Sequence, residues 1–256
     1  AQDGFLASSE QFRSPDYRWP HDALNCWSRI WEYPYIYQHM REIMSDYKDR
    51  GIVPRAVDVG SGVTFFPFAL AALGWHVTCT DIDPVCERDL TAAIGTVPQQ
   101  PGAVSFRMIE NDRLPFDDGE CDLVYCISVL EHIPGFEHTV LEMARVLKPG
   151  GHCLLTCDID LCPKGSGQLN SDQFASLMAL AESHFDVVGE RRFVHPVDML
   201  TNGNSPVLEV SRSLPSAAWR MTKKKLLKPL LGRRTGCVNR RGLEPLAVLA
   251  LPLVKR

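Results

Sequence analysis

The sequence predicts an α/β protein built on a doubly wound parallel sheet, and three features carry that reading. Short apolar runs alternate with segments of helical spacing, a pattern that sets strands side by side with helices on both faces. The first of these runs ends in an acid and alternate glycines, "VDVGSG", a turn able to bring backbone N–H groups close to a ligand. The next run ends in a second acid, Asp81, 23 positions after Asp58. At 256 residues the chain can bury one large core with an appendage.

Residues 1–20 are polar and turn-rich and read as an arm. The segment that follows is crowded with Trp27, Trp31, Tyr33, Tyr35 and Tyr37. Helical spacing runs from Tyr35 to Tyr47, with Gly51 as a C-cap. Strands are expected at 55–59, 76–80, 104–109, 121–127 and 152–157, and helices at about 64–74, 84–93 and 137–147. "LKPGGH" at 147–152 reads as a helix end and tight turn feeding the fifth strand. A helix over 171–184, capped by Ser171 or Asp172, precedes a sixth strand in "FDVVGERRF". A seventh starts at Leu246, and Pro252 puts it near an edge or a strand end. About fifty residues separate these two strands, long for a plain loop, and are expected to fold as a small cap. The units are then an aromatic-rich helical lid at 1–50, a nucleotide-binding core at 51–193, a basic insertion or cap at 194–243 and the final strand at 244–256.

Apolar content of 45% and charged content of 23% are ordinary for a globular protein. No apolar run is long enough to span a bilayer, and the N-terminus lacks the basic-then-apolar order of a signal peptide. Nine scattered cysteines read as reduced core thiols, so a cytoplasmic location is expected. Cys153, Cys157 and Cys162 match no paired zinc spacing. The net charge of −4 hides an asymmetry: 14 Lys and Arg stand against 3 Asp and Glu from Arg191 to Arg256, and 13 against 28 elsewhere. A basic final quarter points to an anionic partner, whether substrate, membrane surface or nucleic acid. It is equally consistent with a solvated face that pairs with the acidic body.

Gly60 and Gly62 allow a tight turn, but Phe65 stands where a dinucleotide fingerprint has its third glycine and would crowd a pyrophosphate. Asp58 would repel a pyrophosphate and attract an ammonium or sulfonium group. Asp81 can accept both hydroxyls of a ribose. One acid near a cationic amino-acid tail and another on a ribose describe S-adenosylmethionine better than NAD.

Four blocks in order, "VDVGSG", "VTCTDIDP", "LPFDDGECDLVYCISVLEHIP" and "EMARVLKPGGHCLLT", give the chain a family likeness over roughly 55–190. It resembles the class I S-adenosylmethionine-dependent methyltransferases, in particular the broad type 11-like group that methylates small molecules. The resemblance implies a Rossmann-like sheet of seven strands whose last strand is antiparallel. It implies that Gly60, Ser61 and Gly62 lie under the methionine portion of the cofactor, with Asp58 near its amino group. Asp81 would hold the ribose and Ile82 would pack on the adenine. An acid before "LPF" would reach the adenine amino group; Glu110 and Asp112, flanking Asn111, both qualify. Cys126 and Ile127 would end the fourth strand beside the reacting sulfonium, and S-adenosylhomocysteine would be the product.

His132, just after that strand, is the candidate general base, with the alternative that Glu131 and His132 only fix the start of the next helix. His138, His152 and His195 are weaker candidates. Metal-binding relatives carry a glutamate three residues before the Glu-His pair; here it is Ser128, so no catalytic metal is expected. "CISV" replaces the Asn/Asp-Pro-Pro-aromatic turn of adenine and glutamine methylases, and a nucleic-acid substrate is not favoured. The N-terminal aromatics either line an acceptor pocket or pack a helix on the sheet. "TKKKLLKPLLGRR" is compatible with peripheral membrane contact, although Pro229 interrupts it. An anionic or glycan-linked small-molecule acceptor would explain the same charge. The expected reaction is O-methylation of a small polar acceptor, sugar-containing or a secondary metabolite. The alternatives are an N- or C-methyltransferase and a catalytically inactive binding protein on the same fold.

Overall fold

The computed structural model describes residues 2–19, 24, 26–161, 168–189, 201 and 246–256. Cys162, His195, Cys237 and all of the basic 194–243 segment except Thr201 lie outside the described residues. Seven strands form one sheet: β1 (Arg55–Val59), β2 (His76–Asp81), β3 (Ala103–Met108), β4 (Cys121–Ile127), β5 (Leu147–Asp160), β6 (Phe185–Val187) and β7 (Leu246–Lys255). Their spatial order is β3-β2-β1-β4-β5-β7-β6. Strands β1 to β5 pair in parallel, and β7 runs antiparallel to both β5 and β6. The helices are α1 (Gln2–Ser8), α2 (Arg29–Asp49), α3 (Phe66–Ala71), α4 (Pro84–Thr96), α5 (Phe136–Val146) and α6 (Ser171–His184). This is the Rossmann-like α/β architecture with an antiparallel last strand.

Strand β4 shows why the sheet is covered on both sides. Every one of its residues is buried, as a central parallel strand requires. Beyond the register shift at Cys121, Leu123, Tyr125 and Ile127 join the core cluster that packs against α2, α3 and α4, whereas Val124 and Cys126 join the one against α5 and α6. The period-two alternation therefore splits neighbouring residues between opposite faces.

Two local readings of the sequence change. The helix expected at 64–74 is the shorter α3, with Pro67 in its first turn, because the chain from Gly60 to Phe65 is used as a loop. The "LKPGGH" stretch belongs to β5 rather than to a turn before it. Leu147 pairs with Cys121 and His152 with Leu123, so the residues between them bulge out of register. A Cβ on Gly151 would lie 2.8 Å from the Lys148 carbonyl oxygen and 3.1 Å from that of Asp122, so only glycine fits the bulge. Lys148 Nζ crosses it to Asp122 at 2.7 Å.

The N-terminal arm is clamped onto the sheet's helices. Phe5 packs against Phe12 and Phe68 with ring centroids 5.0 and 5.6 Å apart. The Ser14 backbone N–H and hydroxyl both donate to the buried Asp89 carboxylate on α4, and Arg88 pairs with Asp16 at 2.8 Å. Among the described residues, no helix is long and apolar enough to cross a membrane.

Gly102 marks a backbone contact that tests this packing. A Cβ there would overlap the Trp75 carbonyl oxygen and sit 2.6 Å from that of Ala71, neither of which can swing aside. Gly102→Ala is expected to lower the unfolding free energy by about 1–3 kcal/mol in urea titrations. Gly95→Ala on α4, where nothing lies within 4 Å, should instead raise it by up to about 1 kcal/mol.

Candidate functional site

A cavity of 650 Å³ opens at the carboxyl ends of β1, β2 and β4. The strand order reverses between β1 and β4, the position at which open α/β sheets leave a crevice. Its floor is the loop that leaves β1. Gly60 and Gly62 have φ of +70° and +54°, in the left-handed region that side chains resist. A Cβ on Gly60 would sit 2.6 Å from a Val129 methyl, and one on Gly62 would sit 3.0 Å from Tyr17 Oη. The Thr80 carbonyl accepts from the backbone N–H groups of Gly60 and Ser61 at 2.9 and 3.0 Å, which holds the loop against β2.

Asp81 closes β2 with its carboxylate already oriented. Gly62 N–H donates to Oδ2 and Asp83 N–H to Oδ1, both at 3.0 Å. Each oxygen keeps lone-pair capacity for a further donor. Beside it Ile82 is 72% exposed, an apolar side chain standing open on the cavity wall. Asp58 lies deeper, 5% exposed, with Tyr125 Oη donating to Oδ2 at 2.9 Å. Burial pushes its carboxyl up to about 8, with Tyr125 opposing and Asp81 adding to the rise. No ion pair is formed by Asp58 among the described residues.

The structure brings Asp58, Gly60, Ser61, Gly62, Asp81, Ile82, Asp112, Ile127 and His132 to one cavity. Glu110 and Asn111 line a neighbouring surface depression with Arg107 and Arg113 instead. The cause is a tight turn: Arg113 N–H donates to the Glu110 carbonyl, and Asn111 and Asp112 both adopt positive φ, which sends Asp112 alone inward. Cys126 is fully buried against the α5 and α6 face, on the opposite side of β4 from Ile127. Of the weaker histidines, His138 lines the cavity, and His152 sits on β5 away from it.

His132 ends a 3-10 turn after β4, exposed at the cavity rim, with the Trp19 ring stacked 6.3 Å from its own. Burial, and then the nearby Arg29, hold its imidazole below the ordinary value, so it is neutral near pH 7. Between β4 and this turn Ser128 carries a φ of +47° and donates through Oγ to Glu32 Oε1 at 2.6 Å. Glu32, on α2 and 0% exposed, takes an ion pair from Arg29 on its other oxygen. Among the described residues, no three His, Cys, Asp or Glu side chains gather as a metal site would require. Glu131 turns from the cavity to accept the Asp158 backbone N–H at 3.0 Å, and its buried Oε2 has no hydrogen-bond partner among the described residues.

Several lining residues carried no local sequence signal. Tyr17 accepts the Val63 N–H at 2.9 Å and lines the cavity, as do Trp19 and Arg29. Of the five aromatics between Trp27 and Tyr37, only Tyr33 reaches it, stacked on Phe66 at 4.6 Å. Trp31 and Tyr35 stack on each other at 4.9 Å, with Trp31 38% exposed.

Residues 57–155 match the family described as a methyltransferase domain. An uncharacterized methyltransferase of Mycobacterium sp. (strain JLS) is 30% identical over 135 residues, covering 53% of this chain and 51% of the relative. The ubiquinone biosynthesis O-methyltransferase of Marinobacter nauticus is 32% identical over 105 residues, 40% of this chain and 43% of the relative. The chain thus spans about half the length of the curated relatives it matches. Among solved structures, a putative sarcosine dimethylglycine methyltransferase from Galdieria sulphuraria shares the fold. Its TM-score is 0.55 at 16% identity, over 85% of this chain and 86% of that one.

Burial raises the Glu131 carboxyl to about 7. The folded state therefore holds this proton more tightly than the unfolded chain does. The stability it contributes is complete below the unfolded value of about 4.3 and is lost as pH climbs through 7. Thermal unfolding of Glu131→Gln should accordingly lose several degrees less than wild type between about pH 5 and pH 8. Parallel pH profiles would refute the assignment.

Proposed function

We infer, from the match of residues 57–155 to a methyltransferase domain and from the cavity, that the chain is an S-adenosylmethionine-dependent methyltransferase and methylates a hydroxyl of a small polar acceptor. The cavity's donor set fits the cofactor on physical grounds. The two left-handed glycines expose backbone where side chains would collide with Val129 and Tyr17. Asp58 is a buried carboxylate whose raised value a cation would bring down, which suits the ammonium of the amino-acid tail. Asp81 offers two accepting oxygens for a ribose, Ile82 an exposed apolar face for the adenine ring, and Asp112 an acid for its amino group.

When bound, the cofactor supplies a methyl group on positively charged sulfur, an electrophile whose leaving group needs no activation. The chain's part is then alignment and proton management. The loop from β1, Asp58 and Asp81 fix one reactant, so that reaction becomes effectively unimolecular once the acceptor is seated. His132, kept neutral by burial and by Arg29, takes the hydroxyl proton as the new bond forms.

The observation that carries the reading is the convergence of Asp58, Gly60, Gly62, Asp81 and a neutral His132 on one cavity. The O-methyltransferase named among the relatives supports a hydroxyl acceptor. A catalytically inactive binding protein on this fold would have no physical need to keep Gly60, Gly62 and Asp81 together, and failure to bind the cofactor would favour it.

Titration calorimetry with S-adenosylmethionine and S-adenosylhomocysteine should give micromolar binding, weakened at least tenfold by Asp81→Ala. A folded wild type that binds neither would end this reading. Once an acceptor is found by screening, kcat/KM should be level at neutral pH and fall only in acid below the ordinary imidazole range, because the base must be unprotonated. His132→Asn should lower kcat by about two to four orders of magnitude and leave cofactor affinity unchanged. A kcat unmoved by that change would return His132 to a structural role.

A further inference from the structure

Two buried positions beside the cavity break the local rule, and they meet each other. Glu32 heads the buried stripe of α2, in which Ile36, Met40 and Met44 follow at helical spacing. It is fully buried where an apolar side chain would pack without the cost of desolvating a carboxylate. Ser128, the first residue after β4, is buried with a φ of +47°, a conformation that glycine adopts freely and a residue with a Cβ resists. Ser128 Oγ donates to Glu32 Oε1 at 2.6 Å, so each irregularity is the other's partner.

The surroundings hold this pair from several directions. Glu32 Oε2 takes the Arg29 guanidinium, so the carboxylate has a charged partner on one oxygen and a hydroxyl on the other. The Ser128 N–H donates to the Thr156 carbonyl at 2.9 Å, tying the same residue to β5. The side chain of Ser128 is thus gripped from α2 and its backbone from the sheet, which is how a strained residue is kept in place. Helix α2 does not need the bond to stay on the sheet, because Tyr33, Ile36, Met40 and Met44 already bury it in the core.

Two contacts at the cavity depend on the backbone direction at Ser128. Val129, the next residue, lies so near Gly60 that a Cβ there would sit 2.6 Å from a Val129 methyl. It therefore backs the loop that floors the cavity. The His132 N–H closes the following turn on the Val129 carbonyl at 2.9 Å, with His132 lining the cavity. Relaxation of Ser128 to a negative φ would send the chain out of β4 in another direction, and Val129 and His132 would move together.

We propose that Ser128, gripped by Glu32, is a positioning residue that aims the turn after β4, seating Val129 behind the β1 loop and His132 at the cavity in one act. It works through the backbone, and its hydroxyl proton is held by Glu32 rather than offered to a ligand. Its bearing on the base rests on the methyltransferase reading above, whereas the hold of Glu32 on the turn stands apart from that reading.

Two substitutions in the full chain separate backbone from hydroxyl. Ser128→Ala keeps the Cβ and loses the grip, so the strained conformation goes unsupported. Ser128→Gly loses the same bond but takes a positive φ without strain. The readouts are the His132 ring resonances in proton–carbon NMR spectra, assigned through His132→Asn, and calorimetric titration with S-adenosylhomocysteine. In Ser128→Ala the His132 resonances should shift from those of wild type, and affinity should fall at least fivefold. Ser128→Gly should return the resonances toward wild type and recover most of the affinity, although it too lacks the bond to Glu32. A bond that only fastens α2 to the sheet would not be rescued by glycine. Wild-type resonances and affinity in Ser128→Ala overturn the positioning role. Glycine as damaging as alanine in both readouts overturns it too, because the hydroxyl would then act directly. Should Ser128→Ala not fold, Ser128→Gly carries the test: resonances near wild type support the assignment, and displaced ones overturn it. Failure of folded wild type to bind S-adenosylhomocysteine removes the methyltransferase reading, and the NMR comparison still decides whether Ser128 aims His132.

Discussion

The way the chain leaves β1 constrains everything at the carboxyl edge of the sheet. Strand β1 lies between β2 and β4, so its exit must pass the ends of both neighbours. On one side Val129 leaves no room for a Cβ at Gly60. On the other, the Thr80 carbonyl captures two successive N–H groups and the Asp81 carboxylate captures a third. Those three bonds make the loop a rigid shelf, and they orient the carboxylate of Asp81 in the same act. Where order reverses, adjacent connections turn to opposite faces, and the crevice follows from topology before any side chain is chosen.

Charge inside the crevice is left deliberately unbalanced. A carboxyl as buried as Asp58, with one hydroxyl donor and no ion pair among the described residues, is pushed up to about 8. Such a group is costly in the empty protein and becomes favourable when a positive ligand arrives, so the strain is relieved by binding. At the other end of the cavity, Arg29 is ion-paired with the buried Glu32, and burial and Arg29 hold His132 below its ordinary value. The two halves therefore differ in sign: a desolvated acid near β1, and a guanidinium beside a neutral base near β4. A reactant that carries both a cation and an anion can be oriented end to end by that difference alone.

What the sequence disclosed was what its local periods encode. Apolar runs and acid-terminated strand ends located β1, β2 and β4 to within a residue or so, and the "GSG" turn located the shelf. Alternation along β4 also carries the information that separates Ile127 from Cys126, since neighbours in a strand face opposite sides. The contacts that complete the site are of another kind. Glu32 meets Ser128 across 96 positions, and Tyr17 meets Val63 across 46, with no motif at the N-terminal end of either pair. Their pairing depends on where α2 and the arm settle on the sheet. The bulge in β5 was misread for a related reason. A Pro-Gly-Gly run signals a turn locally, and only the register against β4 shows it absorbed within a strand.

The division of labour in the molecule follows from this difference in range. Residues after Arg55 build a shelf and two acids from short-range pattern, the part that any member of such a fold needs to hold one common ligand. Residues before it contribute Tyr17, Trp19, Arg29 and Tyr33 to the opposite wall. That wall is fastened by bonds distinct from those that make the shelf: Arg13 to the Val63 carbonyl at 2.9 Å, Ser14 to Asp89, and Glu32 to Ser128. Its side chains can change without disturbing how β1 ends, provided those fastenings persist. The N-terminal arm and the first turn of α2 therefore shape one wall of the cavity, and the ends of the strands shape its floor.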